Sequence, residues 1–241
     1  MRRRKRVINW GAIFAVFALV NLIFASFRSP LTAIRRINLS GVRQSERLRL
    51  ERIQQLVQGV PAMQLDPGSV EQMFLGQSRV KSCTFSRNIF GSGRLEITYR
   101  KAVADAGNGA LLDADGEFFS DPEQGENLVK LKLAPILKVT SATVMGVIDF
   151  RQIAEACAIT QENFPEGAVS VLETGVIRLD IEGGHVILGS PGNLSKKFDT
   201  LIGLLRDRPT LLKGIEYLNL TNPDRATVST NKNDKPVQPN P

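Results

Sequence analysis

Three hydrophobic patterns follow one another along this chain, and the first has no period at all. Val7 to Phe27, VINWGAIFAVFALVNLIFASF, is 21 residues without a charge, directly after Arg2, Arg3, Arg4, Lys5 and Arg6. At about 1.5 Å per residue the run predicts a helix roughly 31 Å long, matching a hydrocarbon core of about 30 Å. Trp10, near one end, suits a membrane interface. The run is too long for the apolar region of a signal peptide, and Ala25-Ser26-Phe27 makes a poor cleavage site. Five cations precede it against Arg28, Arg35 and Arg36 after it. The expectation is a cytoplasmic tail over 1–6, a transmembrane helix over 7–27 and an extracytoplasmic remainder: a single-pass type II membrane protein.

Beyond residue 31 the pattern alternates between periods of two and 3.6. Ala33 to Gly41 reads as a strand with Ile37 and Leu39 on one face, closed by glycine. Ser45 as N-cap, Glu46 at the positive helix end, and Leu50, Ile53 and Leu56/Val57 at helical spacing predict a helix over 46–58. Asp66-Pro67 opens a second helix whose stripe is Val70, Phe74 and Leu75. Val80 to Arg87 and Arg94 to Lys101 are strands joined by a glycine-containing connection.

The order β-α-α-β-β, with IRRINLSGV at 34–42, RVKSCTFSR at 79–87 and RLEITYRKAVA at 94–104, resembles the POTRA domain of the FtsQ/DivIB family of bacterial cell-division proteins. Ser78-Arg79 stands where that family usually has Pro-Trp, and Arg100 where it has Glu. The domain is expected over 32–102.

Residues 103–230 are expected to form a β-rich domain. In Leu111 to Phe119 an Asp-Gly pair sits between apolar pairs, a hairpin signal. Its Asp-x-Asp-Gly is similar to part of a calcium loop, but the downstream ligands of such a loop are missing. A similar hairpin occurs at this point in FtsQ-type proteins. Val129 to Val139 reads as extended chain interrupted by Pro135. Asp149 and Gln152 start a helix that buries Ile153, Ala156 and Cys157. Strands follow at 168–172, 176–181 and 185–188, most simply as a meander. Asn193 is expected to cap a helix with Leu194, Phe198, Leu201 and Leu205 on one face. Gly214 to Leu220 and Ala226 to Thr230 are the last strands. The close, VILGSPGNLSKKFDTLIGLL and GIEYLNL, is again similar to the family, with Asn219 and Thr221 where Asp and Arg are usual. NKNDKPVQPNP over 231–241 reads as a disordered tail. The expected fold class is thus α+β: a single transmembrane helix, a POTRA domain, then a mixed domain dominated by antiparallel strands.

Charge changes the picture once it is located. Of 31 Lys and Arg, eight lie in residues 1–36, which hold no acid, leaving 23 against 24 acids elsewhere. The basicity follows topology, and nucleic acid is not an expected partner. Cys83 and Cys157 read as unpaired packing residues. His185 is the single histidine. There is no Ser or Cys nucleophile motif and no phosphate loop, so no catalytic, cofactor or metal residue is assigned and no small-molecule substrate is expected.

The final strand is the remaining candidate. A short strand followed by a polar tail leaves a sheet edge open to strand addition. The resemblance implies that Tyr217, Asn222, Ala226, Thr227, Val228, Ser229 and Thr230 meet a partner of the FtsB type. It further implies partners of the FtsL type, a place in the bacterial inner membrane at the division septum and an indirect role in septal peptidoglycan synthesis. The alternatives are a POTRA-containing protein of outer-membrane assembly or secretion, and a membrane-anchored extracytoplasmic hydrolase.

Overall fold

The computed structural model describes residues 10–28, 32–88, 90–135 and 148–230. The expectations for the tail at 1–6, for the chain past Pro135 and for 231–241 lie outside these residues. The chain divides into two compact units, Met1–Tyr99 and Arg100–Pro241.

The first helix, α1, runs Trp10–Arg28. Among the described residues no helix is long and apolar enough to cross a membrane. This corrects the transmembrane helix expected over 7–27. It also removes the type II topology, the inner-membrane placement and the extracytoplasmic position that depended on it. The length explains the difference. Uncharged α1 extends from Trp10 to Phe27, about 27 Å at 1.5 Å per residue, short of a core of roughly 30 Å, and its last residue is Arg28. Asn21 donates its amide to the Phe17 carbonyl at 2.8 Å, satisfying itself within the helix.

The rest of the first unit contains β1 (Arg36–Ser40), α2 (Arg47–Val57), α3 (Pro67–Leu75), β2 (Val80–Arg87) and β3 (Ser92–Tyr99). The sheet order is β1-β3-β2, with β1 parallel and β2 antiparallel to β3. Asp66 caps α3 by accepting from the Gly68 and Ser69 amides at 3.2 and 3.0 Å. Leu50, Ile53 and Val57 from α2 join Val70 and Phe74 from α3 over Cys83, Phe85, Leu95 and Ile97 of the sheet. Ile37 and Leu39 share a face of β1 as expected; Ile37 packs against this core, while Leu39, nearer the strand's end, is 46% exposed. Gly41 ends β1 at φ +75°, where a Cβ would collide with the Ile97 carbonyl. Glu46 departs further from expectation. It lies in a 3-10 turn over Gln44–Glu46, buried and paired with Arg79, and the α-helix starts only after it.

The second unit is a mixed α/β structure built on β4 (Ala102–Gly107), β5 (Ala110–Asp113), β6 (Phe118–Phe119), β7 (Val129–Leu133), α4 (Phe150–Asn163), β8 (Ala168–Val171), β9 (Ile177–Ile181), β10 (Gly184–Gly189), α5 (Leu194–Asp207), β11 (Tyr217–Asn219) and β12 (Thr227–Ser229). All strands form one nine-stranded sheet in the order β12-β11-β10-β9-β8-β7-β4-β5-β6. The pairs β4/β7, β7/β8 and β10/β11 are parallel. Parallel neighbours need a crossover, supplied by α4 between β7 and β8 and by α5 between β10 and β11. A row of cross-strand partners, Leu131, Val169, Leu179, Val186 and Leu218, is buried with Ile153, Ala156 and Cys157 of α4 and Phe198 and Leu201 of α5. Asp149 caps α4 through the Arg151 amide at 3.0 Å. Asn193 precedes α5 in the left-handed region, φ +56°, and its side chain makes no cap bond, contrary to expectation.

Candidate docking edge

β12 is an edge of the nine-stranded sheet, antiparallel to β11, pairing Ser229 with Tyr217, Val228 with Leu218 and Thr227 with Asn219. Cross-strand partners share a face. Val228 therefore lies on the same face as buried Leu218, yet it is 46% exposed because no strand lies beyond it. Thr227 and Ser229 share the opposite face with Asn219 and Tyr217.

The turn into β12 is built by short polar side chains. Asn222 accepts from the Asp224 amide through Oδ1 at 3.0 Å and from the Arg225 amide through its carbonyl at 3.1 Å. Asp224 pairs with Lys196 of α5 at 2.8 Å, tying the turn to the helix. Of the seven residues expected to meet a partner, the structure gathers Ala226, Thr227, Val228, Ser229 and Thr230 along the edge. Tyr217 lies one strand inward and is half-buried. Asn222 shapes the turn instead of lining the edge.

The other edges differ. β6 has two residues, and its Phe118 ring stacks edge-on against Phe150 with centroids 5.0 Å apart. β2 is closed by a side chain, since Glu71 of α3 accepts from the Phe85 amide at 2.8 Å. β1 begins on exposed Arg36, and charge on an edge opposes strand addition. Among the described residues no side-chain acceptor bonds a backbone amide of Thr227 to Thr230.

No family model matches the chain, and no curated protein does.

Three other polar groupings invite a chemical reading. Asp113, in the Asp-x-Asp-Gly hairpin, is buried and accepts from the Asp115 and Glu117 amides, both at 2.9 Å, and pairs with Arg100 at 2.6 Å. Its carboxylate is spent on holding the turn. Gly116 in that turn has φ +81°, and a Cβ there would run into the backbone of Phe150 and Arg151. Among the described residues no group of three His, Cys, Asp or Glu could hold a metal ion.

Asp180 on β9 is the second grouping, and the sequence spacing did not reveal it. His185 Nδ1 lies 2.8 Å from one carboxylate oxygen, and Ser170 donates to the other at 3.1 Å. Arg178 pairs with it at 3.0 Å and Lys132 at 3.7 Å. Burial alone would raise this carboxyl, but the bonds from His185 and Ser170 and the charge of Arg178 outweigh it and leave it below the ordinary value. The aspartate sits between the serine and the histidine. A serine nucleophile needs the imidazole beside it, so this geometry lacks the order of an acyl-transfer triad. The register that places Asp180 opposite His185 was the signal that could have found the pair.

Lys197 of α5 is the third, nearly fully buried, with its ammonium donating to the Ser190 carbonyl at 2.6 Å. Burial lowers its pKa. It anchors the loop before α5. Both cysteines are free and buried, and burial pushes Cys157 up to about 12 and, together with the Glu71 charge, Cys83 up to about 11. Neither is an activated thiol.

Proposed function

We propose that this chain is a non-enzymatic assembly scaffold of bacterial cell division, similar in role to FtsQ/DivIB proteins. It recruits and links division proteins of the FtsB and FtsL type and so helps control septal peptidoglycan synthesis. The observation that carries the reading is the β12 edge: small side chains, one overhanging valine, and backbone amides without a side-chain acceptor. An incoming strand would gain main-chain hydrogen bonds there and cover Val228. The β-α-α-β-β order between Arg36 and Tyr99, and the motifs quoted above, support the family resemblance.

The test is co-purification with the FtsB- and FtsL-type proteins of the cells that make the chain, comparing wild type with Val228→Pro. Proline removes an amide from the edge strand while leaving the buried row on β11 in place. The expected result is loss of capture and filamentous cells, with the melting temperature little changed. Full capture by a folded Val228→Pro chain, or by a chain ending at Thr221, would overturn the proposal.

A further inference from the structure

The first unit carries a second surface whose chemistry differs from that of the β12 edge. Helix α2 buries Leu50, Ile53 and Val57. Leu48, Arg52 and Leu56 recur every four residues along another face, and Leu48 and Leu56 are 80% and 62% exposed. Arg49 is adjacent, and Met73 of α3 stands opposite at 42% exposure. Together with Glu46 and Arg79 these residues line an open groove of about 580 Å³. Exposed leucines grouped along a groove mark an interaction site more often than isolated ones do.

Charge selects the occupant. Arg79 is paired with Glu46, and Arg47, outside the groove, is 3.9 Å from Glu51. Arg49 donates to the Met73 carbonyl at 2.6 Å and lies over the Phe74 ring, 6.0 Å from its centroid. Both partners are neutral, and among the described residues no carboxylate pairs with Arg49. Arg52 has no carboxylate partner among the described residues. The groove therefore offers two guanidinium charges beside three exposed apolar side chains. A leucine-type repeat of four on a helix suits another helix, whose ridge fits between such rows. We propose that this groove docks an acidic amphipathic helix of a partner protein, with its apolar stripe on Leu48, Leu56 and Met73 and its carboxylates on Arg49 and Arg52.

The chain's own undescribed segments do not suit the site by composition. Residues 1–9 are basic, 136–147 hold no acid, and 231–241 hold one acid against two lysines. The occupant comes from another protein, and the surface is independent of the β12 reading.

The probe is a fluorescein-labelled helical peptide of about four turns carrying leucines on one stripe flanked by glutamates, titrated against the full chain by anisotropy. A version with lysines replacing the glutamates is the control. The acidic peptide should bind, weaken with added salt, and lose about tenfold in affinity with Arg52→Glu. Leu56→Ser should weaken it as well. Both positions are exposed, so thermal unfolding should not move, and Val228→Pro should leave this binding unchanged. Equal binding of the two peptides, no binding of either, or full binding by Arg52→Glu would overturn the proposal. Self-association of the chain that Arg52→Glu abolishes, without peptide binding, would replace the partner helix with a second copy and equally overturn it.

Discussion

The two units solve the same packing problem at different scales. Among the described residues the first buries a core of 12 residues, centred on Phe74, whereas the second buries 20 around the row from Leu131 to Leu218. Neither core borrows a residue from the other unit. A small core leaves little margin over the conformational entropy that folding must overcome, so the first unit should open first. Its proposed recognition surface is correspondingly made of side chains, chiefly on α2 with Met73 of α3, while the second unit can leave a strand edge open because the sheet behind it is wide.

The sharpest way to break this contrast is to remove the centre of the smaller core. Phe74 is fully buried, and Phe74→Ala should cost about 3–5 kcal/mol. In hydrogen exchange read by mass spectrometry, amides over 32–99 should lose protection while those over 100–230 keep it. Simultaneous loss in both regions would mean that the units fold as one.

A matched pair of ionic contacts gives the next largest effect. Glu46 with Arg79 and Asp113 with Arg100 each join a buried carboxylate to a guanidinium about one-fifth exposed. Removing either acid takes the buried carboxylate away from its partner arginine. Glu46→Ala should cost about 1–3 kcal/mol by chemical denaturation, discounted for solvent around the arginine. Asp113→Ala should cost about 1 kcal/mol more, because it also abandons the Asp115 and Glu117 amides. Equal costs would show that the turn amides find water instead.

Acid should affect the second unit through Asp180. Its folded-state pKa lies below the ordinary 3.8, so the carboxylate's contribution is fully present above that value and is lost as pH falls through the folded value. Asp180→Asn should therefore be less stable than wild type at neutral pH, with the gap closing below pH of about 4. A constant gap across that range would refute the linkage.

The smallest effect is kinetic. With both thiols raised by burial, labelling at mildly alkaline pH must pass through opening of each unit. Cys83 should react before Cys157 with a soluble disulfide reagent. The reverse order would contradict the ranking of the two cores.

What could be read from the sequence was what a few neighbouring residues decide. Asp66 followed by Pro67, and Asp149 before Phe150, start helices through bonds two or three residues away. Glu46 could not be placed this way, since its partner Arg79 is 33 residues distant. Asn193 is a good cap by type, but its left-handed backbone directs no side-chain bond to the helix. From Trp10 on, the run at 7–27 was legible as a helix, whereas the membrane crossing read from it was not borne out. The parallel joining of β4, β7 and β8 depends on crossovers that no local pattern specifies. At the candidate edge the pattern read a last strand over Ala226 to Thr230, and β12 covers Thr227–Ser229; the turn bonds that hold Asn222, two and three residues on, were not legible.

From β8 onward each new strand is laid outside the one before it, β9 on β8, β10 on β9, then β11 and β12. During synthesis the sheet thus grows as a zipper whose open side moves outward with the emerging chain. At every intermediate length that side presents a different and more apolar backbone, such as Leu179 or Val186 and Leu188. Only when Thr227 to Ser229 arrives is it covered by a short polar strand. A chain cut before residue 227 would leave β11 uncovered, prone to indiscriminate strand pairing and lacking the proposed docking strand. Partner capture at β12 would thereby depend on this outermost strand being in place.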